Sequence, residues 1–199
     1  MSTTILVLYF SRHGATARLA AQVARGVSAV DGADACVRTV PPVHSATAPA
    51  VAAVPEDGAP FATLDDLAEC DGLALGSPTR FGNMAAEMKA FWDSTSGLWL
   101  SGALIDKPAT VFTASSSPHG GQESTLLTMM VPLLHHGMLI SGVPYSTAEL
   151  NSTRGGGTPY GASHVSGTGD NPLLDEEQVI ARAAGERVAR LARTLKDGT

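Results

Sequence analysis

The sequence has little charge, few aromatic residues and only two cysteines. Charged residues make up 16% of the 199 residues, aromatic residues make up 5%, and the formal net charge is -6. The basic residues are scattered, which excludes the clustered Lys and Arg of a nucleic-acid-binding face. Cys36 and Cys70 stand in apolar surroundings without CxxC or metal-binding spacing. Such cysteines are typical of reduced thiols in a cytoplasmic protein.

Long apolar runs are also missing from the sequence. No stretch approaches the ~20 residues that a membrane-spanning helix needs, and the N-terminal residues lack the basic flank and cleavage site of a secretory signal. We therefore expect a cytoplasmic protein with no membrane partner. Hydrophobic residues make up 44% of the chain. That is enough for one well-buried core, so residues 1–199 are predicted to form a single domain.

Short apolar runs alternate with helical patterns along the chain. This alternation indicates an α/β fold with a doubly wound parallel sheet. Thr4–Phe10, which is rich in β-branched and aromatic residues, is typical of a strand that is buried on both faces. Four further strands are predicted, which makes a five-stranded sheet: Asp34–Val40, Ala68–Gly76, Ala109–Ala114 and Met138–Ser141.

Helices are predicted between and after these strands. Asn83 is expected to cap one helix, and Pro132 is expected to distort or end another. The segments Pro41–Pro60 and Asn151–Asn171 have no clear helical or strand pattern. Four apolar stripes or ranges define the helices: Leu19, Val23 and Val27; Met84, Met88 and Phe91; Glu123–Leu134; and Ile180, Ala184, Val188, Leu191 and Leu195.

Ligands of such a sheet bind beyond the carboxyl ends of the strands, which selects three loops. The first loop offers two hydroxyls and several N–H groups at a helix N-terminus, which favours an anion. It has neither a P-loop lysine nor GxGxxG spacing, so a phosphate monoester fits better than a triphosphate. An ordinary helix start is the alternative. The loop consists of Ser11, Arg12, His13, Gly14, Ala15 and Thr16.

The second and third loops are rich in groups that bind a polar heterocycle. Thr79, Arg80 and Asn83 are candidates for hydrogen bonds, and Phe81 is a candidate for contact with a ring. The alternatives are a simple turn for the second loop and an exposed flexible loop for the third. The second loop is Pro78, Thr79, Arg80, Phe81, Gly82 and Asn83, and the candidates in the third are Ser115, Ser116, Ser117, Gly120 and Gly121.

Trp99 and the pair His135 and His136 are further candidate site residues, and one other class of enzyme has to be considered. Trp99 is either a stacking wall or a core residue. His135 and His136 have no third ligand at a sensible spacing, so we expect no metal; a contact between one of them and an aromatic ligand is favoured instead. No GxSxG motif appears, and no acidic residue follows a strand to partner a histidine, which argues against a serine hydrolase.

Together these segments resemble the WrbA-type NAD(P)H:quinone oxidoreductases, the tryptophan-repressor-binding-protein family of the flavodoxin-like fold. The motifs occur in the family's order and cover most of the chain from Thr4 to Ala192. They are Pro78–Met84, Gly97–Trp99, Ser101–Leu104, Gly120–Glu123, His135–Met138 and Arg154–Ala162.

The resemblance implies a sheet of order 2-1-3-4-5 with helices on both faces. It also implies FMN as cofactor, NADH or NADPH as electron donor, and two-electron reduction of a quinone by a ping-pong route. The expected assembly is a homotetramer whose sites are built from more than one subunit. An electron-carrying flavodoxin and a regulatory scaffold without flavin are the alternatives from other functional classes.

The resemblance also assigns roles to the candidate residues. Residues 11–16 would hold the flavin phosphate, residues 79–81 would line the isoalloxazine, and residues 115–121 would add flavin contacts. Trp99 and His135 would border the cavity above the flavin, where nicotinamide and quinone alternate. His135 is the candidate to stabilise or protonate the quinone oxyanion. His13 stands where the family commonly has a tyrosine, and Ala15 where it commonly has a histidine.

Overall fold

The computed structural model describes residues 2–43, 55, 57–167 and 171–198. Its strands are β1 (Thr3–Tyr9), β2 (Ala33–Thr39), β3 (Gly72–Pro78), β4 (Pro108–Ser115), β5 (Leu139–Ile140) and β6 (Ala162–Val165). Its helices are α1 (Ala15–Ser28), α2 (Leu64–Glu69), α3 (Ala86–Asp93), α4 (Ser96–Ser101), α5 (Gln122–His135) and α6 (Asp175–Asp197), with a short 3-10 turn at Ala148–Asn151.

The sheet is parallel throughout and has the order β2-β1-β3-β4-β5. The predicted fold class and strand order are therefore confirmed. The prediction of five strands needs one correction, because the position beyond β4 is shared by two short strands. β5 pairs with the start of β4 at Pro108–Ala109, and β6 pairs with its end at Phe112–Ser115. The chain leaves the sheet between these two strands and then returns to it.

Helices cover both faces of the sheet. Val7 and Phe112 pack with α1 and α6 on one face, while Leu6, Leu8 and Leu75 pack with α3 and α5 on the other. Side chains of a strand alternate between its faces, so the strands of a sheet that is covered on both faces read as continuous apolar runs. Among the described helices, none is long and apolar enough to cross a membrane.

Several predicted element boundaries differ from the structure. Phe10 follows β1 instead of ending it, and residues 68–71 precede β3. Asn83 does not cap α3, which begins three residues later after Ala85; the Asn83 side chain accepts a hydrogen bond from the Met84 N–H instead. Pro132 does not end α5, which continues to His135. Most of the segment 41–60 lies outside the described residues.

The last helix buries a different stripe near its C-terminus than the one predicted. Ile180, Ala184 and Val188 are buried as expected, but Leu191 and Leu195 are exposed. Small side chains at Ala189 and Ala192 take the buried positions instead. The helix therefore meets the sheet through small residues over its last turns, a detail that hydrophobicity alone does not reveal.

Helices α1 and α6 cross at two glycines, one from each helix. A Cβ atom on Gly26 would lie 2.1 Å from the Arg182 carbonyl oxygen, and a Cβ on Gly185 would lie 2.1 Å from the Val23 carbonyl oxygen. Both obstacles are backbone atoms, which cannot move aside as a flexible side chain can. The two glycines therefore set the distance between these helices.

We expect Gly185→Ala to lower the free energy of unfolding by about 2–3 kcal/mol, because the methyl group forces the helices apart. Urea unfolding monitored by circular dichroism measures the change. Gly97→Ala is the matched control: Gly97 also lies in a helix, and its Cβ would have no atom within 4 Å. That change is expected to be neutral or to stabilise by up to about 1 kcal/mol. Equal losses in both variants would contradict the helix-crossing explanation.

Candidate functional site

A cavity of about 660 Å³ lies at the carboxyl edge of the sheet. We call it the carboxyl-edge cavity. All three loops selected from the sequence contribute to its wall, and the segment after β6 contributes as well. It is lined by Ser11, Arg12, His13, Ala15, Thr16, Pro78, Thr79, Arg80, Ala114, Ser115, Ser116, Ser166 and Gly167.

The first loop lies in the wall of this cavity and leads into the first turn of α1. Gly14 precedes α1 with a φ of 84°, a conformation that glycine adopts without strain. Among the described residues, none accepts a hydrogen bond from the backbone N–H groups of residues 12–16. The first turn of α1 contains no acidic residue. Unpaired N–H groups at the positive end of a helix form a binding site for an anion.

The second loop is joined by hydrogen bonds to the strand and the helix that flank the third loop. The Thr79 N–H donates to the Ala114 carbonyl over 2.9 Å, and the Thr79 hydroxyl lies 2.6 Å from the Thr125 hydroxyl. Gly82 and Gly121 approach closely, since a Cβ on Gly121 would lie 3.1 Å from the Cα of Gly82. These contacts hold the loops in a defined relative position. Gly82 and Gly121 therefore shape the cavity without lining it.

Phe81 lies at the tip of the second loop in an unfavourable conformation. Its φ is 52°, and its side chain is fully exposed to solvent. A left-handed conformation is costly for a residue other than glycine, and no burial of the ring offsets that cost in the isolated chain. A strained, exposed aromatic residue beside a cavity indicates a role in contact with a ligand or another subunit.

The third loop is braced from within. The Ser115 hydroxyl donates to the Ser117 carbonyl over 2.8 Å and accepts a hydrogen bond from Gln122 Nε2 over the same distance. Ser115 is buried, whereas Ser116 and Ser117 are exposed. Gln122 therefore fixes the start of the loop, a role that the sequence motif did not reveal.

Ser166 and Gly167 are wall residues that the sequence analysis missed. The Ser166 N–H and hydroxyl both donate to the Ser115 carbonyl, over 2.8 and 3.1 Å. These residues follow the carboxyl end of β6. Because ligands bind beyond the carboxyl ends of the strands, the sequence would have pointed to them if that strand had been recognised. Ala162–Val165 is only four residues long and lies in a glycine-rich segment, which hid the strand.

Not every predicted site residue lines the carboxyl-edge cavity. Trp99 and His135 line a neighbouring cavity of about 590 Å³, which we call the aromatic cavity because it also contains Trp92 and His136. The indole N–H of Trp99 donates to the His135 carbonyl over 3.0 Å. Asn83 lines this second cavity too. The predicted site residues that lie outside the wall of the carboxyl-edge cavity are Gly14, Phe81, Gly82, Asn83, Trp99, Ser117, Gly120, Gly121 and His135.

Comparisons with known proteins identify the family of this chain. Residues 3–150 match the family described as NADPH-dependent FMN reductase. A protein of Syntrophobacter fumaroxidans named NAD(P)H dehydrogenase (quinone) is 45% identical over 96% of this chain and 98% of its own length. A protein of the same name from Geotalea daltonii is 43% identical over 96% of this chain and 97% of its own length.

This chain belongs to the NADPH-dependent FMN reductase family.

A solved structure extends the similarity to three dimensions. The flavodoxin, WrbA-like protein from Agrobacterium tumefaciens has a TM-score of 0.68 and 25% identity, and the match covers 98% of this chain and 99% of that one. An archaeal flavodoxin with 18% identity has a TM-score of 0.64 and shares the fold. The resemblance drawn from the sequence motifs is confirmed.

Beyond the family match, which ends at residue 150, a buried pair joins β6 to α6. His164 Nδ1 lies 2.7 Å from Glu177 Oε2, and both side chains are 1% exposed. His164 Nε2 lies 3.2 Å from the Asn171 carbonyl oxygen. The Glu177 carboxylate also accepts hydrogen bonds from the N–H groups of Gly156, Val165 and Leu174. The pair thus holds the segment that carries Ser166 and Gly167.

The hydrogen bonds also determine the charge of Glu177. Burial alone would raise the pKa of this carboxyl group, but the hydrogen bonds from His164, Leu174 N–H and Gly156 N–H lower the pKa below its ordinary value. Glu177 is therefore ionised at neutral pH. Its stabilising effect is present above the pKa of the unfolded chain, about 4.3, and is lost as the pH falls through the lower pKa of the folded state.

We expect Glu177→Gln to lower the free energy of unfolding by about 3 kcal/mol at pH 7, because it removes the charge from a buried pair. The difference from the wild type should shrink as the pH falls below about 4.3, where the Glu177 carboxylate of the unfolded chain takes up a proton, and should shrink further as the pH falls through the lower pKa of the folded state. Urea unfolding between pH 3 and pH 7 measures both effects. Glu176→Gln is the control, since it removes a negative charge from the same helical turn. Among the described residues, the Glu176 side chain forms no ion pair with a buried group. A pH-independent difference for Glu177→Gln would contradict the assignment.

Proposed function

We propose that this chain is an FMN-dependent NAD(P)H:quinone oxidoreductase that reduces quinones to hydroquinones by two electrons. The nicotinamide and the quinone would use the site in turn, in a ping-pong cycle. The observation that carries the proposal is the set of N–H groups at the start of α1 that have no acceptor among the described residues, in a loop that lines the cavity with the two other predicted loops. The names of the two full-length relatives support the choice of donor and acceptor.

The residues present fit FMN. Its phosphate monoester suits the N–H groups of residues 12–16, which have no acceptor among the described residues and need no lysine or metal. The volume of about 660 Å³ is in the range of cofactor sites. Pro78, Thr79 and Arg80 on one side and Ser115 and Ser116 on the other would hold the ring system. Bound FMN would supply the redox chemistry, accepting a hydride from the nicotinamide and passing two electrons to the quinone.

The side chains of the protein position the reactants and balance charge. Arg80 is a residue of the cavity wall, and its guanidinium donates one hydrogen bond to the Thr79 carbonyl over 2.8 Å. A positive charge at this residue would stabilise negative charge that develops during reduction. His135 would donate a proton to the quinone oxyanion, or stabilise it.

The proposed roles of His135 and Trp99 involve a second subunit. Both residues line the aromatic cavity and not the carboxyl-edge cavity of their own chain. We infer that they reach the flavin site of a neighbouring subunit in a homotetramer. Each chain would act as a single domain. The free thiols Cys36 and Cys70 support a cytoplasmic location for the assembly.

An exposed apolar surface on α4 and α5 supports this assembly. Leu127, Val131 and Leu134 lie on one side of α5 at spacings of four and three residues, and all are exposed. Trp99 of α4 lines the aromatic cavity together with Val131 and donates a hydrogen bond to the His135 carbonyl. Leu100, the next residue of α4, is 78% exposed. An apolar patch of this extent is typical of a surface that another protein covers. We call this surface the α4–α5 face.

The proposed activity is tested by following the flavin spectrum without oxygen. The protein is mixed with FMN and freed of excess, then treated with NADH or NADPH and afterwards with benzoquinone. We expect the visible flavin band to bleach with the nucleotide and to return with the quinone. Retained flavin that no nucleotide bleaches would point to an electron carrier. A protein that retains no flavin would favour the scaffold alternative.

We expect Leu134→Glu to dissociate the tetramer and to reduce quinone turnover, because it places a charge on the α4–α5 face. Sedimentation velocity measures the assembly, and circular dichroism checks that the chain still folds. Leu195→Glu is the matched control: Leu195 is 40% exposed on α6, away from this face. If Leu134→Glu left the sedimentation coefficient and turnover unchanged, the α4–α5 face would not be the interface.

A further inference from the structure

Helix α4 is attached to the end of α5 by two side-chain hydrogen bonds. The imidazole of His136, the residue that follows α5, lies with its Nε2 atom 2.9 Å from the hydroxyl of Thr95, the residue that precedes α4. The Trp99 indole of α4 donates to the His135 carbonyl over 3.0 Å. Trp99 and His135, the two residues proposed to reach the quinone, are thus joined to each other and have a second contact beside them.

The donor of the bond between His136 and Thr95 follows from the other neighbour of Thr95. The Thr95 hydroxyl lies 2.8 Å from the Trp92 carbonyl oxygen, which can only accept. The single hydroxyl hydrogen is therefore given to Trp92, and the Thr95 oxygen accepts from His136 Nε2. Burial lowers the pKa of His136, and the charge of the neighbouring His135 lowers it further. At neutral pH the imidazole is therefore neutral, with its one hydrogen on Nε2.

The same arrangement leaves a buried nitrogen atom without a partner. His136 is 9% exposed and packs against the Trp92 ring, with the ring centroids 5.4 Å apart. Its second nitrogen, Nδ1, has no hydrogen-bond partner among the described residues. A buried acceptor without a donor destabilises the folded chain. Residues that depart from structural rules in this way are expected near functional sites.

Thr95 is also connected to the backbone of Trp99. The Thr95 carbonyl accepts hydrogen bonds from the N–H groups of Leu98 and Trp99, over 2.9 and 3.1 Å. Helix α4 has only six residues, and none of the six is fully buried. A helix of that length is not stable by itself in water, so its orientation depends on contacts such as those with the end of α5. The Trp99 side chain, which is about half exposed, depends on them as well.

We propose that His136 and Thr95 are positioning residues, whose hydrogen bond holds Trp99 and His135 in the geometry that receives the quinone ring. The inference rests on the proposed function, since it takes Trp99 and His135 to border the reaction site. Thr95 also borders the aromatic cavity, but it is buried and acts through Trp99. A wall that is ordered before the ligand arrives binds more tightly, because less conformational entropy is lost on binding.

The first measurement compares Thr95→Val with Thr95→Ser in the FMN-loaded protein. Valine is similar in shape to threonine but lacks the hydroxyl, whereas serine retains it. We expect Thr95→Val to raise the KM for benzoquinone about three- to ten-fold, the size expected for one hydrogen bond. The change in kcat should be smaller, because a bound ring itself selects the ordered wall. Thr95→Ser should restore the wild-type KM.

The second measurement reports the motion of Trp99 without any turnover. The sequence has two tryptophans, and the indole N–H of Trp92 has no hydrogen-bond partner among the described residues. Trp92→Phe therefore leaves Trp99 as the single tryptophan without removing a side-chain hydrogen bond, and it retains the carbonyl that Thr95 contacts. In this background, time-resolved fluorescence anisotropy of the FMN-loaded protein should show a larger amplitude of fast motion for Thr95→Val than for Thr95→Ser.

Thr110→Val is the matched control. Thr110 is 1% exposed on β4, and its hydroxyl has no partner within the part of the chain that the structure describes, so the same chemical change removes no hydrogen bond. We expect it to leave the KM and the anisotropy unchanged. His136→Phe removes the donor and retains an aromatic ring beside Trp92. It should reproduce the effects of Thr95→Val, and it replaces that variant if circular dichroism shows that Thr95→Val does not fold.

The proposal is overturned if Thr95→Val and His136→Phe match Thr110→Val in either measurement, or if Thr95→Ser fails to restore the order of Trp99. Its failure is distinct from that of the proposed function. Flavin that bleaches with the nucleotide and returns with the quinone equally well in all variants would disprove only the positioning role. A wild-type protein that retains no flavin would contradict the proposed function before any variant is compared.

Discussion

The pairing of β1, β3 and β4 at the centre of the sheet is the constraint on which the site depends. Each of these strands is hydrogen-bonded on both edges, and β3 and β4 are buried along their whole length. Because the strands run parallel, their carboxyl ends and the loops that follow lie at one edge. The apolar interior thus determines where the polar groups gather, although it contributes no polar group itself.

At that edge the protein keeps features that do not favour its own stability. The N–H groups of residues 12–16 lack acceptors among the described residues, Phe81 has a positive φ, and Arg12 and Arg80 lack carboxylate partners there. Local departures from structural rules of this sort are expected where a ligand or another subunit completes the structure.

The wall of the carboxyl-edge cavity also depends on contacts between distant parts of the chain. Ser166 is placed by the carbonyl of Ser115, and the strand before it is anchored by His164 and Glu177. Glu177 lies in α6, which packs on α1 at Gly26 and Gly185. The helix that begins at the anion site and the segment that closes the cavity are therefore tied to the same terminal helix.

The sequence by itself determined the fold class, the strand order through the family resemblance, and the three loops that form most of the cavity wall. Those predictions succeeded because buried strands, helical stripes and the turns that follow strands are local patterns, in which neighbouring residues carry the signal. The sequence did not predict β6, the wall residues Ser166 and Gly167, or the separation of Trp99 and His135 from the carboxyl-edge cavity.

Only the tertiary structure decided those features, together with the pairing of His164 with Glu177. A four-residue strand has too few positions to display a period. Its pairing with β4 is supplied by a residue about 50 positions earlier in the chain. Which polar side chains meet is likewise set by how the helices pack on the sheet, and that packing is a long-range property that no local pattern records.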